Sequence, residues 1–335
     1  MPLFKVLEEY DGQSLTFVSD KPSGLSALIA IHSTKRGPAF GGIRTLSYSS
    51  QSAAVTDAVR LAQAMSYKAA VASLPAGGGK CVVIKSEGMK RDKAFQALGR
   101  MIQRLGGNFY TGLDVGTTRE DLLEIAKETG YVAKDLEFGK ATARGVFAAI
   151  RAGLKFATSE DELDGRTVAV QGLGAVGSEL VTMLHAAGAR LLVADADQRL
   201  AAEIGEKMGC EVVNASRIIT ADCDVLAPCA LGSVFTTQNA ENIQAKVIAG
   251  SANNQLATPA AGDALRKAGV TFVPDYVANA GALIKGVTEH TGGKEVGFGV
   301  VDRIFETTLE LLELAKKRRK TPVQVAEELA LERLH

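Results

Sequence analysis

Residues 167–177 read TVAVQGLGAVG, an apolar run of strand length that passes directly into a glycine-rich turn. In this context Gly172 permits a tight turn, Gly174 lets the backbone approach phosphate groups, and Gly177 lets a following helix pack closely on the strand. Free amide groups at the start of that helix form an anion site. The pattern therefore predicts a strand, a turn and a helix that together bind a dinucleotide. The residues expected around its pyrophosphate are Gly172, Gly174, Ala175, Val176 and Gly177.

An acidic residue further along the chain supports this interpretation. Asp195 follows the next strand-like run at the distance where an acid binds the adenosine ribose hydroxyls. A carboxylate at that place repels a 2′-phosphate, so the sequence predicts NAD rather than NADP as the cofactor. The alternative is that Asp195 is a turn or helix-cap residue, since Asp197 starts a helix.

Strand-like and helical patterns alternate along the chain, which predicts an α/β fold. Before the glycine turn, helical patterns at 51–72, 91–105 and 119–129 alternate with strand-like runs at 14–18, 27–31, 81–84 and 109–111. After it, strand-like runs at 191–193, 224–227, 247–249 and 271–273 are separated by helix-length segments, as a doubly wound parallel sheet requires. Helical patterns follow at 276–289, 300–316 and 322–333. We place the boundary between two domains near residues 137–141.

The composition narrows the class of partner. The 335 residues include 38 lysines and arginines and 38 aspartates and glutamates, so no net charge favours nucleic acid or an acidic membrane surface. No apolar stretch is long enough to span a bilayer and the first residues lack a secretory signal, so we expect a cytoplasmic protein. The cysteines and histidines show no metal-ligand spacing, so neither a metal nor a disulfide is predicted. A small molecule is the expected partner.

Three charged residues stand out in the first half of the chain. Lys68 lies in an apolar helical segment, where a buried ammonium group needs an anionic partner. Lys80 ends a run of three glycines at the entrance to a strand, and Asp114 follows another strand. Each residue is also compatible with a structural role, such as a lysine that reaches solvent along an apolar surface. Together they would suit a substrate that carries a carboxylate and needs proton transfer.

These residues belong to a series of motifs that covers nearly the whole chain in order. The motifs are 37–44 (GPAFGGIR), 67–70 (YKAA), 75–80 (PAGGGK), 114–117 (DVGT), 227–232 (APCALG), 251–256 (SANNQL) and 274–281 (PDYVANAG). They resemble the motifs of the amino-acid dehydrogenases acting on glutamate, leucine, phenylalanine and valine, and the branch with leucine, valine, phenylalanine and tryptophan enzymes most closely. The resemblance implies a substrate domain at 1–138, completed by C-terminal helices at about 318–335. It also implies a Rossmann NAD-binding domain at 139–317, with a cleft between the two domains.

The resemblance assigns a role to each charged residue. Lys68 would bind the substrate carboxylate, Lys80 would act as the general base toward water, and Asp114 would relay protons to and from the substrate nitrogen. Hydride would leave Cα for the nicotinamide, water would add to the iminium carbon, and the carbinolamine would collapse to the 2-oxo acid and ammonia. A lysine base must be neutral, so we expect burial and the other ammonium group to lower its pKa.

The resemblance also supplies the remaining site positions. Phe40 and Leu283 would narrow an apolar side-chain pocket, whereas Gly286 would open it, because the family usually has a larger residue there. The floor of the substrate site would be lined by Gly41 and Gly42. Asn253 would help to place both nicotinamide and substrate. The other residues expected at the cofactor are Cys229, Ala230 and Asn254.

The implied function is NAD-dependent oxidative deamination of an apolar L-amino acid, branched-chain or aromatic, with reductive amination as its reverse. One alternative is a dehydrogenase of a non-proteinogenic amino acid or of an amine, and another is a non-catalytic NAD-binding regulator. An amine has no carboxylate for Lys68, and a regulator has no need of Lys68, Lys80 and Asp114 together. We expect a homo-oligomer, with a dimer as the first hypothesis.

Overall fold

The computed structural model describes residues 3–133, 137–230 and 232–334, and the chain divides into two units. Unit 1 comprises Met1–Leu136, Glu289–Gly293 and Ala330–His335. Unit 2 comprises Glu137–Thr288 and Lys294–Leu329, so the last part of the chain contributes to both units. Within the described residues, no helix is long and apolar enough to cross a membrane.

Unit 1 is built on a mixed five-stranded sheet with the order β1-β2-β4-β3-β5. Its strands are β1 (Ser14–Asp20), β2 (Leu25–Ser33), β3 (Ala39–Leu46), β4 (Gly77–Ile84) and β5 (Phe109–Leu113). β2 pairs antiparallel with β1 and β4, whereas β3 runs parallel to β4 and β5. In this register Ile43 on β3 is opposite both Cys81 and Leu113. The neighbours of those two residues, Lys80 and Asp114, therefore flank the same part of β3.

The helices of unit 1 are α1 (Leu3–Glu9), α2 (Gln51–Val71), α3 (Arg91–Arg104) and α4 (Arg119–Ala126). α2 begins after Ser50, whose Oγ accepts a hydrogen bond from the Ala53 N–H at 3.1 Å. Small apolar residues three or four positions apart give α2 one buried face. That face comprises Ala54, Val55, Ala58, Val59 and Ala62, and it packs with Leu28, Ala30 and Val82 of the sheet.

Unit 2 contains a six-stranded parallel sheet with the order β11-β10-β9-β6-β7-β8. Its strands are β6 (Thr167–Gln171), β7 (Arg190–Ala194), β8 (Glu211–Val212), β9 (Val225–Pro228), β10 (Val247–Ile248) and β11 (Thr271–Phe272). The winding starts at β6, proceeds to β8 on one side, and then returns to β9 and proceeds to β11 on the other. This is the Rossmann strand order, and in such sheets ligands generally bind at the carboxyl ends of the strands where the winding changes direction, which here is between β6 and β9.

The remaining helices connect and flank this parallel sheet. They are α5 (Phe138–Thr158), α6 (Gly177–Ala186), α7 (Gln198–Met208), α8 (Pro259–Lys267), α9 (Asp275–Ala278), α10 (Gly281–Gly292), α11 (Ile304–Arg318) and α12 (Pro322–Leu334). α10 and α12 each begin in unit 2 and end in unit 1. Phe235 and Phe272 lie in the core on one face of the sheet, with ring centroids 6.2 Å apart.

The α/β fold class and the doubly wound sheet predicted from the sequence are confirmed, and the differences are local. The run of three glycines before Lys80 was expected to lie at the entrance to a strand, but it is part of the strand, because Gly77 opens β4 and pairs with Ala39. The patterns did not predict α1, β3 or β8. The helix predicted at 276–289 is interrupted between α9 and α10, at Asn279 and Ala280.

Candidate active site

Lys80 and Asp114 form a buried ion pair that joins the middle of β4 to the carboxyl end of β5. Lys80 Nζ lies 2.9 Å from Asp114 Oδ2, and Lys80 is only 5% exposed. β4 carries Lys80 as its fourth residue, and Asp114 follows β5 directly. The two charged residues that the sequence singled out here are therefore in direct contact.

The same pair has shifted protonation equilibria. Burial lowers the pKa of Lys80 below the usual 10.5 of a lysine; the Asp114 carboxylate opposes this effect, and the positive charge of Arg44 adds to it. Burial alone would raise the pKa of Asp114, but Lys80 and Arg44 outweigh it and hold this pKa below the usual 3.8. Asp114 is thus ionised at neutral pH, while Lys80 gives up its proton more readily than a lysine in water.

Two glycines on β3 leave room beside this ion pair. A Cβ at Gly41 would lie 1.7 Å from the carbonyl oxygen of Gly79, and one at Gly42 would lie 2.9 Å from Asp114 Cβ. Any side chain at either position would therefore collide with the segments that carry Lys80 and Asp114. This steric requirement is consistent with the expected role of Gly41 and Gly42 in lining the floor of a substrate site.

Lys68 is placed by the close packing of α2 on β4. A Cβ at Gly78 would lie 2.1 Å from the backbone nitrogen of Ser66, so the glycine is needed for this approach. Lys68 and Lys80 each lie two residues beyond this contact point, on the helix and on the strand. The Lys68 side chain is partly buried in unit 1.

Phe40 belongs to a small aromatic cluster in unit 1. Its ring centroid lies 4.9 Å from that of Tyr110 and 5.5 Å from that of His290, and the latter two are 4.6 Å apart. The sequence interpretation did not include Tyr110 or His290. No spacing in the sequence indicates the contact, because His290 follows Phe40 by 250 residues and comes from the end of α10.

α10 also carries the other two residues expected at the side-chain pocket. Gly286 lies four residues before His290, and Leu283 lies three residues before Gly286, so the three positions follow one face of the helix. A Cβ at Gly286 would meet no atom within 4 Å. The helix surface at Gly286 is therefore open.

The glycine turn after β6 has the geometry that a dinucleotide needs. Gly172 adopts φ +93°, and a Cβ at this position would lie 2.7 Å from Ala230 Cβ. A Cβ at Gly177 would lie 1.9 Å from the Gly172 carbonyl oxygen, whereas one at Gly174 would meet nothing within 4 Å. The first and third glycines are thus required by packing, and the second leaves open space.

The residues next to this turn form the rest of the expected pyrophosphate site. α6 begins at Gly177, and its N-cap residue, Val176, provides no side-chain hydrogen bond to the first amide groups. Ala175 is exposed. On the neighbouring strand, Cys229 follows β9, and its N–H donates to the Gln171 carbonyl oxygen at 2.7 Å. This hydrogen bond joins the turns after β6 and β9, at the place where the winding of the sheet changes direction. The residues present there fit a dinucleotide.

Asp195 directly follows β7 and is held by two backbone amides. Its Oδ2 accepts a hydrogen bond from the Leu173 N–H at 2.6 Å, and its Oδ1 accepts one from the Asp197 N–H at 2.9 Å. The helix cap is Asp197, whose side chain accepts from the amides at the start of α7. Asp195 therefore stabilises the glycine turn in addition to presenting a negative charge beside it.

Asn253 and Asn254 lie on an exposed loop of unit 2 that Asn279 and Asp275 hold. Asn279 Nδ2 donates to Asn253 Oδ1 at 2.9 Å and to the Ser251 carbonyl oxygen at 3.0 Å. The Asn254 N–H donates to Asp275 Oδ2 at 2.8 Å. Asn279 lies in the 274–281 motif, but no role was predicted for it from the sequence. Its contact orients the Asn253 amide, because Oδ1 accepts and Nδ2 is left to donate.

A second group of charged residues supports the Lys80–Asp114 pair. Arg44 Nε donates to Asp114 Oδ2 at 2.8 Å, and one of its terminal nitrogens contacts Asp57 Oδ2 at 3.2 Å. Asp57 in turn accepts hydrogen bonds from Tyr48 and Arg60. None of these four residues was assigned a role from the sequence. Among the residues that the structure describes, no cluster of histidine, cysteine and acidic side chains could hold a metal ion.

Comparison with known proteins identifies the family. The N-terminal part, residues 14–131, matches the model described as Glu/Leu/Phe/Val dehydrogenase, dimerisation domain. Residues 136–207 and 193–333 match the Glutamate/Leucine/Phenylalanine/Valine dehydrogenase model.

Similar proteins extend over the full chain. A leucine dehydrogenase from Geobacillus stearothermophilus is 41% identical, over 100% of this chain and 94% of the relative. A phenylalanine dehydrogenase from Thermoactinomyces intermedius is 36% identical, over 99% of this chain and 94% of the relative. The crystal structure of L-tryptophan dehydrogenase from Nostoc punctiforme aligns with a TM-score of 0.86 at 39% identity, covering 99% of this chain and 98% of that one. The chain therefore belongs to the glutamate/leucine/phenylalanine/valine dehydrogenase family of NAD(P)-dependent amino-acid dehydrogenases.

Proposed function

We propose that this protein catalyses the NAD-dependent oxidative deamination of an apolar L-amino acid, branched-chain or aromatic, and the reverse reductive amination. The observation that carries the proposal is the buried contact between Lys80 and Asp114, in which a lysine of lowered pKa lies 2.9 Å from an ionised carboxylate. Such a pair supplies a base and a proton relay at one place. Similar dehydrogenases are named for leucine, tryptophan and phenylalanine, which supports an apolar side chain on the substrate.

The proposed reaction begins at the substrate nitrogen. Lys68 binds the substrate carboxylate, and Asp114 takes a proton from the ammonium group so that a C=N bond can form. The acceptor for the hydride that leaves Cα, with both electrons of the Cα–H bond, would be supplied by bound NAD. These roles assign one task to each charged residue: binding for Lys68 and proton transfer at nitrogen for Asp114.

Water then completes the deamination. Neutral Lys80 takes a proton from water as its oxygen bonds to the iminium carbon, which gives the carbinolamine. Asp114 returns a proton to nitrogen, and the C–N bond breaks to release ammonia. The ionised Asp114 then accepts the hydroxyl proton as the C=O bond forms, and Lys80 and Asp114 each pass one proton to solvent before the next cycle. Lys80 can act in this way because burial favours its neutral form.

We propose NAD rather than NADP because Asp195 places a carboxylate beside the glycine turn. The residues expected to hold NAD are the turn around Gly174, the start of α6, and the loop with Asn253 and Asn254. A 2′-phosphate near Asp195 would meet a like charge, which costs binding energy. The two backbone hydrogen bonds to Asp195 fix this carboxylate, so it cannot easily turn away.

The alternative functions lack this support. A regulator that only binds NAD has no use for a buried lysine of lowered pKa beside a carboxylate. A dehydrogenase of amines would have no carboxylate for Lys68. A dehydrogenase of a non-proteinogenic amino acid would use the same chemistry and would differ only at the side-chain pocket.

The function is tested by following reduction of NAD with each proteinogenic L-amino acid, and with amines that correspond to the best substrates but lack the carboxylate. We expect activity with branched-chain or aromatic amino acids and none with glutamate or the amines. Lys80→Ala is the matched inactive control. A wild-type protein that binds NAD but oxidises none of these compounds would leave the regulator as the better hypothesis.

We also propose that the enzyme is a homo-oligomer, with a dimer as the smallest assembly. The support is that residues 14–131 match a family model described as a dimerisation domain. Light scattering coupled to size-exclusion chromatography measures the mass, and a mass near the 35.1 kDa of one chain would contradict the proposal. The cytoplasmic location expected from the sequence remains a prediction.

A further inference from the structure

We infer that Arg44, anchored by Asp57, is a positioning residue for the deamination: it fixes the Asp114 carboxylate against Lys80 and places a second positive charge on the oxygen that the Lys80 ammonium group contacts. This inference rests on the proposed function and adds to it a residue with no direct part in the chemistry. It is carried by the contacts of Arg44 on two sides and by the burial of the groups it joins.

The contacts place Arg44 between two carboxylates. Its Nε and the Nζ of Lys80 approach the same oxygen of Asp114, Oδ2, at 2.8 Å and 2.9 Å. Neither of these two contacts ends on Oδ1. Two cations on one oxygen fix the rotation of the carboxyl group, so its other oxygen keeps one direction for a substrate group.

Arg44 is itself held at its far end. Its terminal nitrogen contacts Asp57 Oδ2 at 3.2 Å, and the same oxygen accepts from the Tyr48 hydroxyl at 2.8 Å. Arg60 binds the other oxygen of Asp57 at 2.9 Å. The side chains of Arg44 and Asp57 are only 17% and 18% exposed. The Arg44 guanidinium group therefore cannot change direction without breaking its charged hydrogen bonds to Asp114 and Asp57.

The electrostatic effect of Arg44 on Lys80 has a definite sign. The charged groups that act on Lys80 are Asp114 and Asp57, which raise its pKa, and Arg44, which lowers it. Arg44 also lowers the pKa of Asp114. Removing the positive charge of Arg44 should therefore raise both pKa values. Lys80 would then become a neutral base only at higher pH.

A purely structural role for Arg44 makes a different prediction. An arginine that only stabilised the fold would lower the melting temperature when replaced, but would leave the titration of Lys80 unchanged. Arg91 is a suitable comparison, because its guanidinium group binds the buried Asp121 in the same unit and has no described contact with Lys80 or Asp114. Arg91→Met therefore controls for the loss of a partly buried arginine.

Three variants separate charge from geometry. Arg44→Met removes both, Arg44→Lys keeps the charge with one donor site in place of the fork, and Asp57→Asn keeps Arg44 but weakens its anchor. For Arg44→Met we expect the pH midpoint of the deamination rate to rise and kcat to fall by roughly 10²-fold, with KM little changed. For Arg44→Lys and Asp57→Asn we expect a smaller fall in kcat and no upward shift of the midpoint.

The titration of Lys80 can also be measured in the absence of substrate and cofactor. Trace acetylation of the apoprotein with acetic anhydride at a series of pH values, quantified on the Lys80 peptide by mass spectrometry, follows the neutral amine. The pH midpoint of Lys80 acetylation should be higher in Arg44→Met than in the wild type, Arg44→Lys or Arg91→Met.

The outcomes distinguish this inference from the proposed function. A wild-type protein inactive toward every amino acid refutes the proposed function, while the acetylation midpoint still tests the effect of Arg44. An active wild type with equal midpoints in Arg44→Met and Arg91→Met overturns the inference. If Arg44→Met does not fold, a kcat of Arg44→Lys and Asp57→Asn equal to that of the wild type overturns it as well.

Discussion

Lys80 Nζ lies 2.9 Å from Asp114 Oδ2, yet burial lowers the pKa of Lys80. The ion pair favours the protonated lysine and the buried environment disfavours it, so the two effects oppose each other. Because burial is the larger effect, the pair can lose the lysine proton while Asp114 stays ionised. This balance supports the proposed role of Lys80 as a general base.

The first prediction concerns the pH dependence of deamination. Only neutral Lys80 accepts a proton from water, so turnover should rise as the pH rises through the pKa of Lys80. The midpoint should lie below the usual lysine value of 10.5, since burial lowers this pKa. Lys80→Ala should lower kcat by roughly 10²–10⁴-fold and remove this limb of the profile. Lys85→Ala, at an exposed position just beyond β4, is the control. Near-normal turnover in Lys80→Ala would exclude Lys80 as the base.

The second prediction concerns substrate binding by Lys68. If Lys68 holds the carboxylate in both the ground state and the transition state, Lys68→Ala should chiefly raise KM and leave kcat much less affected. The wild type should prefer the best amino acid over its amide, and Lys68→Ala should narrow this preference. Steady-state kinetics with both compounds measure the effect. An unchanged preference for the free carboxylate would show that another residue binds it.

The sequence predicted the parts of this protein that depend on local pattern. Apolar runs of strand length identified β6, β7 and β9, and the spacing of Gly172, Gly174 and Gly177 predicted the turn. β3 was not predicted, because glycines are depleted in strands, and only its close approach to β4 and β5 explains why Gly41 and Gly42 are tolerated.

The support of the site could not be predicted from local pattern at all. The contact of Arg44 with Asp114 spans 70 residues, and that with Asp57 spans 13. The same holds for His290 beside Phe40 and for Asn279 beside Asn253. Each of these contacts depends on which strands and helices the fold brings together, so the sequence offered at most a motif without a role.

The third prediction compares two glycines of the cofactor turn. A Cβ at Gly177 would lie 1.9 Å from the Gly172 carbonyl oxygen, so Gly177→Ala should destabilise the fold by about 1–3 kcal/mol. Gly174→Ala meets no protein atom within 4 Å and should preserve stability but raise the KM for NAD, because the methyl group faces the expected pyrophosphate. Thermal melting and NAD titration distinguish the two. The expected NAD site is misplaced if Gly174→Ala binds NAD normally.

The fourth prediction concerns the choice between NAD and NADP. We expect the wild type to use NAD far better, and Asp195→Ala to reduce this preference by roughly 10–100-fold, because it removes a like charge near the 2′-phosphate. The Asp195 carboxylate also accepts hydrogen bonds from the N–H groups of Leu173 and Asp197, so Asp195→Ala should weaken the glycine turn as well. Asp195→Asn removes the charge but keeps one acceptor, and it should show the same change of preference with less loss of NAD affinity. Equal wild-type efficiency with both cofactors would contradict the assignment.

The last prediction concerns the side-chain pocket. Gly286, on open helix surface, and Phe40, which packs on Tyr110 and His290, are the two positions that the resemblance assigns to the side-chain pocket. Gly286→Val should penalise the bulkiest accepted amino acids by about 1–3 kcal/mol in kcat/KM, whereas Phe40→Leu should relax the size limit. Gly292→Val, also on α10 with no atom within 4 Å, controls for valine in this helix. The ratio of kcat/KM for a large and a small apolar amino acid measures each change. If Gly286→Val and Gly292→Val leave this ratio equally unaffected, the pocket lies elsewhere and α10 does not set the substrate size.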